Sequence, residues 1–206
     1  MIGILNYGVG NVFVLEKRFN ELNLPVTLIS KPADMKNISS FILPGVGSFG
    51  VAMNKFSCSG LRTALEEKVS RGAFLLGICV GLQMLFEQSE EDEKQCEGLG
   101  FIPGKIVKFR NNHDNKIILP HMGWNSFDEI KKHPLLFGIN KKDRLYYLHS
   151  FHAKTDDKYT QAKTTYGEIF PSIVANGNVM GIQGHPEKSH ESGIKLLKNF
   201  GELNAS

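Results

Sequence analysis

Apolar positions change texture halfway along the chain. Ile2 to Leu5 and Val26 to Ile29 are short β-prone runs, and between them Val12, Leu15, Phe19 and Leu22 recur at helical spacing, which predicts a βαβ unit. Phe41 to Leu43 reads as a third strand, and Leu61, Leu65 and Val69 mark a helix that stops at Gly72. Ala73 to Ile78 is wholly apolar, as a central strand of a parallel sheet covered on both faces must be. After Gly98 the pattern shortens to β-prone stretches divided by turn residues: Lys105 to Phe109, Ile117 to Leu119, Leu145 to Phe151, Ala162 to Tyr166, Ser172 to Ala175 and Val179 to Gln183. Asn176-Gly177 is a hairpin signal, so the second half is expected to be antiparallel. Gly193 to Leu203 predicts a closing amphipathic helix, and the acidic run Glu87 to Glu93 reads as a solvated helix end. The expected fold is α/β, with a mostly parallel central sheet flanked by helices, an added antiparallel region, and one domain over residues 1–206.

Composition changes this picture little. At 206 residues, 41% hydrophobic and 22% charged, the chain has enough apolar material for a substantial core. A net charge of +3, spread among acids, shows no nucleic-acid footprint. The apolar run from Ala73 to Phe86 is too short for a membrane span. MIGILNYG lacks the basic start and cleavage site of a targeting segment, so a cytoplasmic location is expected. Three cysteines without C-x-x-C argue against a disulfide framework and a thiolate metal site, and the histidines show no H-E-x-x-H spacing, so no metal is expected.

Gly45-x-Gly47-x-x-Gly50 has the spacing of a dinucleotide-binding turn. The acid that should end the following strand is missing, because Glu66 and Glu67 fall within a predicted helix. After Gly8-x-Gly10, the third glycine position is Phe13. No nucleotide cofactor is expected.

The sharper feature is Gly77-Ile78-Cys79-Val80-Gly81, where an apolar strand runs into a helix. Glycines flank the cysteine as in a nucleophile elbow, a turn too tight for side chains beside the reactive residue. Its alternative is a small buried core cysteine. A base candidate follows the last strand in Gln183-Gly184-His185-Pro186-Glu187, where His185 and Glu187 fall on one side of extended chain. A carboxylate on one imidazole nitrogen leaves the other free for a thiol, in the order Cys, His, Glu.

LPGVGSFG, GICVGLQMLFEQSEE, PHMGWN, LHSFH and QGHPEKS, in this order over most of the chain, resemble the glutaminase subunits of imidazole glycerol phosphate synthase, which are class I (triad) glutamine amidotransferases. The resemblance implies Cys79 as nucleophile, His185 as base and Glu187 as its orienter, with oxyanion donors at Val80 and at Val46 or Gly47. It places Gln83, Glu91, Ser150 and Phe151 at the glutamine site, Glu91 on the substrate α-amino group. On residue type alone, Gln83 could equally be a surface glutamine and Trp124 a core tryptophan. It further implies a heterodimer with a (βα)8-barrel cyclase, to which ammonia is delivered directly, and an interface at or near Asn11, His121, Trp124, Asn125, Tyr146 and Lys188. One departure is Gly184, where the family usually has phenylalanine; it is expected to open space beside the base. That departure keeps open a relative feeding another synthase, such as one making a sugar amidine for a surface glycan. A Cys-His hydrolase of other amides fits less well, since it needs neither Glu91 nor PHMGWN.

Overall fold

The computed structural model describes residues 1–91, 96–110 and 117–203. In chain order the first half comprises β1 (Ile2–Leu5), α1 (Val12–Glu21), β2 (Val26–Ile29), β3 (Ser40–Gly45), α2 (Phe49–Cys58), α3 (Leu61–Ser70), β4 (Phe74–Cys79) and α4 (Val80–Met84). The second half contains β5 (Gln88–Ser89), β6 (Cys96–Glu97), β7 (Lys105–Lys108), β8 (His121–Ser126), β9 (Glu129–Ile130), β10 (Arg144–His149), β11 (Phe151–Lys154), β12 (Thr160–Tyr166), β13 (Glu168–Asn176), β14 (Val179–Ile182) and α5 (His190–Glu202).

Eight strands form the main sheet in the order β2-β1-β3-β4-β14-β13-β12-β9. The first five are mutually parallel and the remainder antiparallel, so the switch of texture in the sequence becomes a switch of strand direction within one sheet. β3 is buried throughout, and Leu75, Leu76 and Ile78 of β4 are 2% exposed or less. Such strands must be apolar on both sides because helices cover both faces. Burial of α1 through Val12, Leu15 and Phe19, and of α3 through Leu61, Leu65 and Val69, follows the predicted stripes.

Three expectations are corrected. Ile117 to Leu119 is not a strand; the strand lies at His121–Ser126, in PHMGWN, which the pattern hid because histidine is turned inward while methionine and tryptophan are turned out. Leu145 to Phe151 is two strands, for the chain leaves β10 at His149 and enters another sheet at Phe151. The acidic run is not a helix end. Glu87 accepts from the Gly104 N–H at 2.8 Å and Glu90 from the Lys108 N–H at 2.8 Å, around the short strand β5; residues 92–95 lie outside the described residues. These carboxylates satisfy backbone donors that a short strand leaves unpaired. Helix α2 begins immediately after the glycine turn and was not among the expected elements, although its buried Phe49, Ala52, Met53 and Phe56 recur at helical spacing. Among the described residues no helix is long and apolar enough to cross a membrane.

Candidate active site

Three adjacent parallel strands end at one place. Gly45 of β3 pairs with Cys79 of β4, and Ile182 of β14 pairs with Ile78 on the other side. The glycine turn, the cysteine and the segment bearing His185 therefore leave the sheet together at its carboxyl edge, where open α/β sheets place their sites.

Cys79 sits at φ 55° and ψ −113°, a conformation that side-chain-bearing residues rarely adopt. A Cβ at Gly77 would lie 2.5 Å from the Gly81 carbonyl oxygen, and one at Gly81 would lie 1.8 Å from that of Leu43. The elbow thus closes only with glycine on both sides. Cys79 itself is 2% exposed, yet it lines one cleft with His185 and interacts with that imidazole. The core reading of this cysteine fails on that contact. Helix α4 has only five residues, so its dipole adds little and the imidazole is the main partner of the sulfur.

His185 Nδ1 lies 2.9 Å from Glu187 Oε1, and both side chains are buried. Burial penalises the imidazolium, but the hydrogen bonds and charges of Cys79 and Glu187 outweigh it and raise the His185 pKa to about 10. Burial likewise opposes the Glu187 carboxylate, and the His185 bond overrides it to hold the group below its ordinary range. The same Oε1 accepts a 2.8 Å bond from Asn11 Nδ2, and Arg18 Nε donates to the Glu187 carbonyl at 3.3 Å. Asn11, expected at a partner interface, here holds the carboxylate.

A cleft of about 320 Å³ opens over these groups, lined in part by Val46, Gly47, Val80, Glu91, Ser150, Phe151 and Lys188 together with Cys79 and His185. Gly47 has φ +83°, which glycine tolerates and other residues resist. Glu91 Oε2 accepts the Phe49 N–H at 2.7 Å, which ties the acidic loop to the start of α2 at the cleft wall. Gln83 is neither on the surface nor in the lining. It is buried behind the wall and donates to the Phe151 carbonyl at 3.0 Å.

That carbonyl also receives His149 Nδ1, at 2.8 Å. A carbonyl cannot donate, so His149 carries its proton on Nδ1 and its Nε2 accepts from His121 Nδ1 at 3.1 Å. His121 Nε2 then faces Asn125 Nδ2 at 3.4 Å. Burial lowers the pKa of His121 to about 4 and of His149 to about 3, so the relay is neutral. His121 is thus an inward residue, 3% exposed, and not part of the outer face. The outer face of the β8–β10 ribbon pairs Met122 with Leu148 and Trp124 with Tyr146. Trp124 is 44% exposed, which removes the core reading, and it stacks on His190 at 5.0 Å.

Gly184 does not open space. A Cβ there would meet Leu145 Cβ at 2.9 Å and the Tyr146 carbonyl oxygen at 3.1 Å, because β10 occupies the place of a side chain. Sequence reasoning also missed His149, Gln183 and Ser189, all buried beside the site. Only the strand order brings them there. Among the described residues no group of three or more His, Cys, Asp or Glu side chains is placed to hold a metal ion.

A buried cysteine facing a histidine that is hydrogen-bonded to a carboxylate, at the edge of a parallel sheet and beside a glycine turn, is the arrangement of an acyl-transferring α/β enzyme. Residues 4–203 match the family model "Glutamine amidotransferase class-I", and the chain belongs to that family; it is a glutamine amidotransferase. It is 43% identical over 202 residues to the imidazole glycerol phosphate synthase subunit HisH of Sulfurimonas denitrificans, covering 97% of each chain. It is 38% identical over 208 residues to the subunit of the same name from Bacillus subtilis, covering 100% of this chain and 97% of that one. Among solved structures, a glutamine amidotransferase superposes with a TM-score of 0.73 at 16% identity, covering 97% of this chain and 98% of that one. PurLQS from Thermotoga maritima gives 0.69 at 20%, covering 97% and 96%. These two likenesses establish the α/β amidotransferase fold.

Proposed function

We propose that this chain is the glutaminase subunit of an imidazole glycerol phosphate synthase, acting in the cytoplasm in histidine biosynthesis. The observation that carries the chemistry is the convergence of Cys79, His185 and Glu187 at the ends of neighbouring strands, opposite the Val46-Gly47 turn. Cys79 Sγ attacks the side-chain carbonyl carbon of glutamine. The oxygen that becomes negative is met by the Val80 N–H and by an N–H of the Val46-Gly47 turn. His185, carrying the thiol proton, gives it to the departing nitrogen, and the C–N bond breaks to leave ammonia and a γ-glutamyl thioester. Water, losing a proton to His185, attacks the thioester; the C–S bond breaks and glutamate leaves. Glu187 holds the imidazole throughout, and Asn11 holds Glu187. Glu91 receives the substrate α-amino group, and Ser150 and Phe151 line the pocket. No cofactor is required.

Ammonia released into neutral water is protonated and loses its nucleophilicity, so the cleft is expected to face the enzyme that consumes it. The partner is a (βα)8-barrel cyclase that makes imidazole glycerol phosphate and an aminoimidazole carboxamide ribonucleotide. Its docking surface is the apolar outer face of the ribbon, Met122, Trp124, Tyr146 and Leu148, with Lys188 and Asn125 nearby. Exposed aromatic and thioether side chains gathered at a catalytic mouth suit such an interface. The sugar-amidine alternative drew on the space expected at Gly184, and that space is filled by β10.

Cys79→Ala tests the reading. In the heterodimer it abolishes glutamine-dependent turnover and leaves ammonia-dependent turnover in place. Loss of both sinks the channelling scheme, and failure of a cyclase with its nucleotide ligand to raise glutamate release by the wild-type chain sinks the choice of partner.

A further inference from the structure

Helix α5 begins with Ser189 at its N-cap, where a serine ordinarily turns its hydroxyl to the free N–H groups of the first helical turn. Here it makes no such bond. The hydroxyl instead donates to the His185 carbonyl at 2.6 Å and accepts from the Tyr146 N–H at 2.9 Å. The His185 N–H in turn donates to the Tyr146 carbonyl at 2.8 Å. These three bonds close a ring that fastens both ends of the His185 residue to β10. Ser189 is 1% exposed, so water offers no ready substitute. The ring needs β10 close by, which is what Gly184 permits: a side chain there would strike Leu145 and the Tyr146 carbonyl.

Asn11 shows the same diversion. It is the N-cap residue of α1, makes no capping bond, and gives its amide to Glu187. Capping is worth roughly 1 kcal/mol to a helix. Ser48 of α2 leaves its helix uncapped as well, but Asn11 and Ser189 each spend the side chain on a member of the triad.

We propose that Ser189 is a positioning residue for the base: its hydroxyl locks the His185 main chain onto β10, so that the imidazole meets Cys79 in the reactive geometry. The inference rests on the glutaminase reading above. It extends that reading to a residue which touches neither the substrate nor the reacting atoms. A displacement of the base by about 1 Å lowers turnover on the order of a hundredfold.

The experiment uses the full chain with its cyclase partner and compares wild type, Ser189→Ala and Cys79→Ala. For Ser189→Ala, kcat for glutamate release is expected to fall about 10- to 100-fold with KM for glutamine within about threefold. The alkaline limb of its kcat–pH profile is expected to move to lower pH as His185 loses its fixed contacts with Cys79 and Glu187. Unchanged kcat overturns the proposal. So does a fall in kcat that leaves the pH profile where it was, or one matched by a proportionate fall in ammonia-dependent turnover, since a general loss of folded enzyme produces those results. If Cys79→Ala still releases glutamate, the glutaminase reading itself fails, whatever Ser189→Ala does.

Discussion

The two edges of the cleft are built on different terms. One wall stands on β3, β4 and β14, parallel strands packed on both faces, whose ends deliver the glycine turn, Cys79 and the His185 segment. The other stands on the β8–β10 ribbon and the following β11, with His121, Tyr147 and His149 turned in and Met122, Trp124 and Leu148 turned out. On the first wall the candidate nucleophile is held by backbone packed so closely that only glycine fits at positions 77 and 81. On the second, the same short strands both shape the substrate pocket and face outward. In the proposed reading, chemistry is placed where packing is closest, and recognition where one side of a sheet is left for another surface.

The sharpest test of the first wall is Glu187→Gln. It keeps the shape but lets the imidazole take the wrong tautomer, and turnover is expected to fall about 10²- to 10⁴-fold. His185 owes part of its raised pKa to this carboxylate, so the alkaline limb of kcat shifts down from about 10. Steady-state rates across pH decide it, and a wild-type-like profile would break the claim that this wall owes its activity to the triad.

Acid stability probes the second wall. His121 and His149 titrate near 4 and 3 when folded and near 6.5 when unfolded, so the unfolded chain binds more protons below pH 6.5. Their contribution to stability is present above pH 6.5 and is lost as pH falls toward those folded values. The expected loss is on the order of a few kcal/mol. Urea midpoints at pH 7 and pH 5 measure it; His121→Asn should flatten the dependence, and equal wild-type midpoints would remove the neutral relay.

The smallest effect belongs to the outer face. Trp124→Ala should weaken cyclase binding by about 2 kcal/mol, roughly thirtyfold, with the glutamate release of the isolated chain unchanged. Titration calorimetry reads the first and an end-point glutamate assay the second. Equal affinities would move the interface away from the ribbon.

The same contrast explains what was legible beforehand. Strands buried on both faces write their location as continuous apolar runs, so Ile2–Leu5 is found where the pattern placed it, and the half-buried edge strand Val26–Ile29 is found there too. The ribbon writes no such signal. His121–Ser126 alternates, but histidine and asparagine face the core while methionine and tryptophan face out, the reverse of the usual code. Glu87 and Glu90 are exposed, as a solvated run should be, but the backbone N–H groups they accept leave no mark in the sequence.

Local chemistry, then, was determined by the sequence alone. Flanking glycines require a strained elbow at Cys79 and parallel-strand composition implies a covered sheet, whereas Glu187 comes beside His185 through a 3-10 turn at Pro186–Lys188 and not through the extended spacing expected of residues two apart. Assembly was decided only in three dimensions. Cys79 meets His185 because β4 and β14, about a hundred residues apart, are neighbours in the sheet. Asn11 and Ser189 stand at helix N-caps in the structure. Each could satisfy nearby backbone donors, but a buried charged or catalytic partner within reach outweighs the roughly 1 kcal/mol of a cap, and only the packed structure brings that partner there.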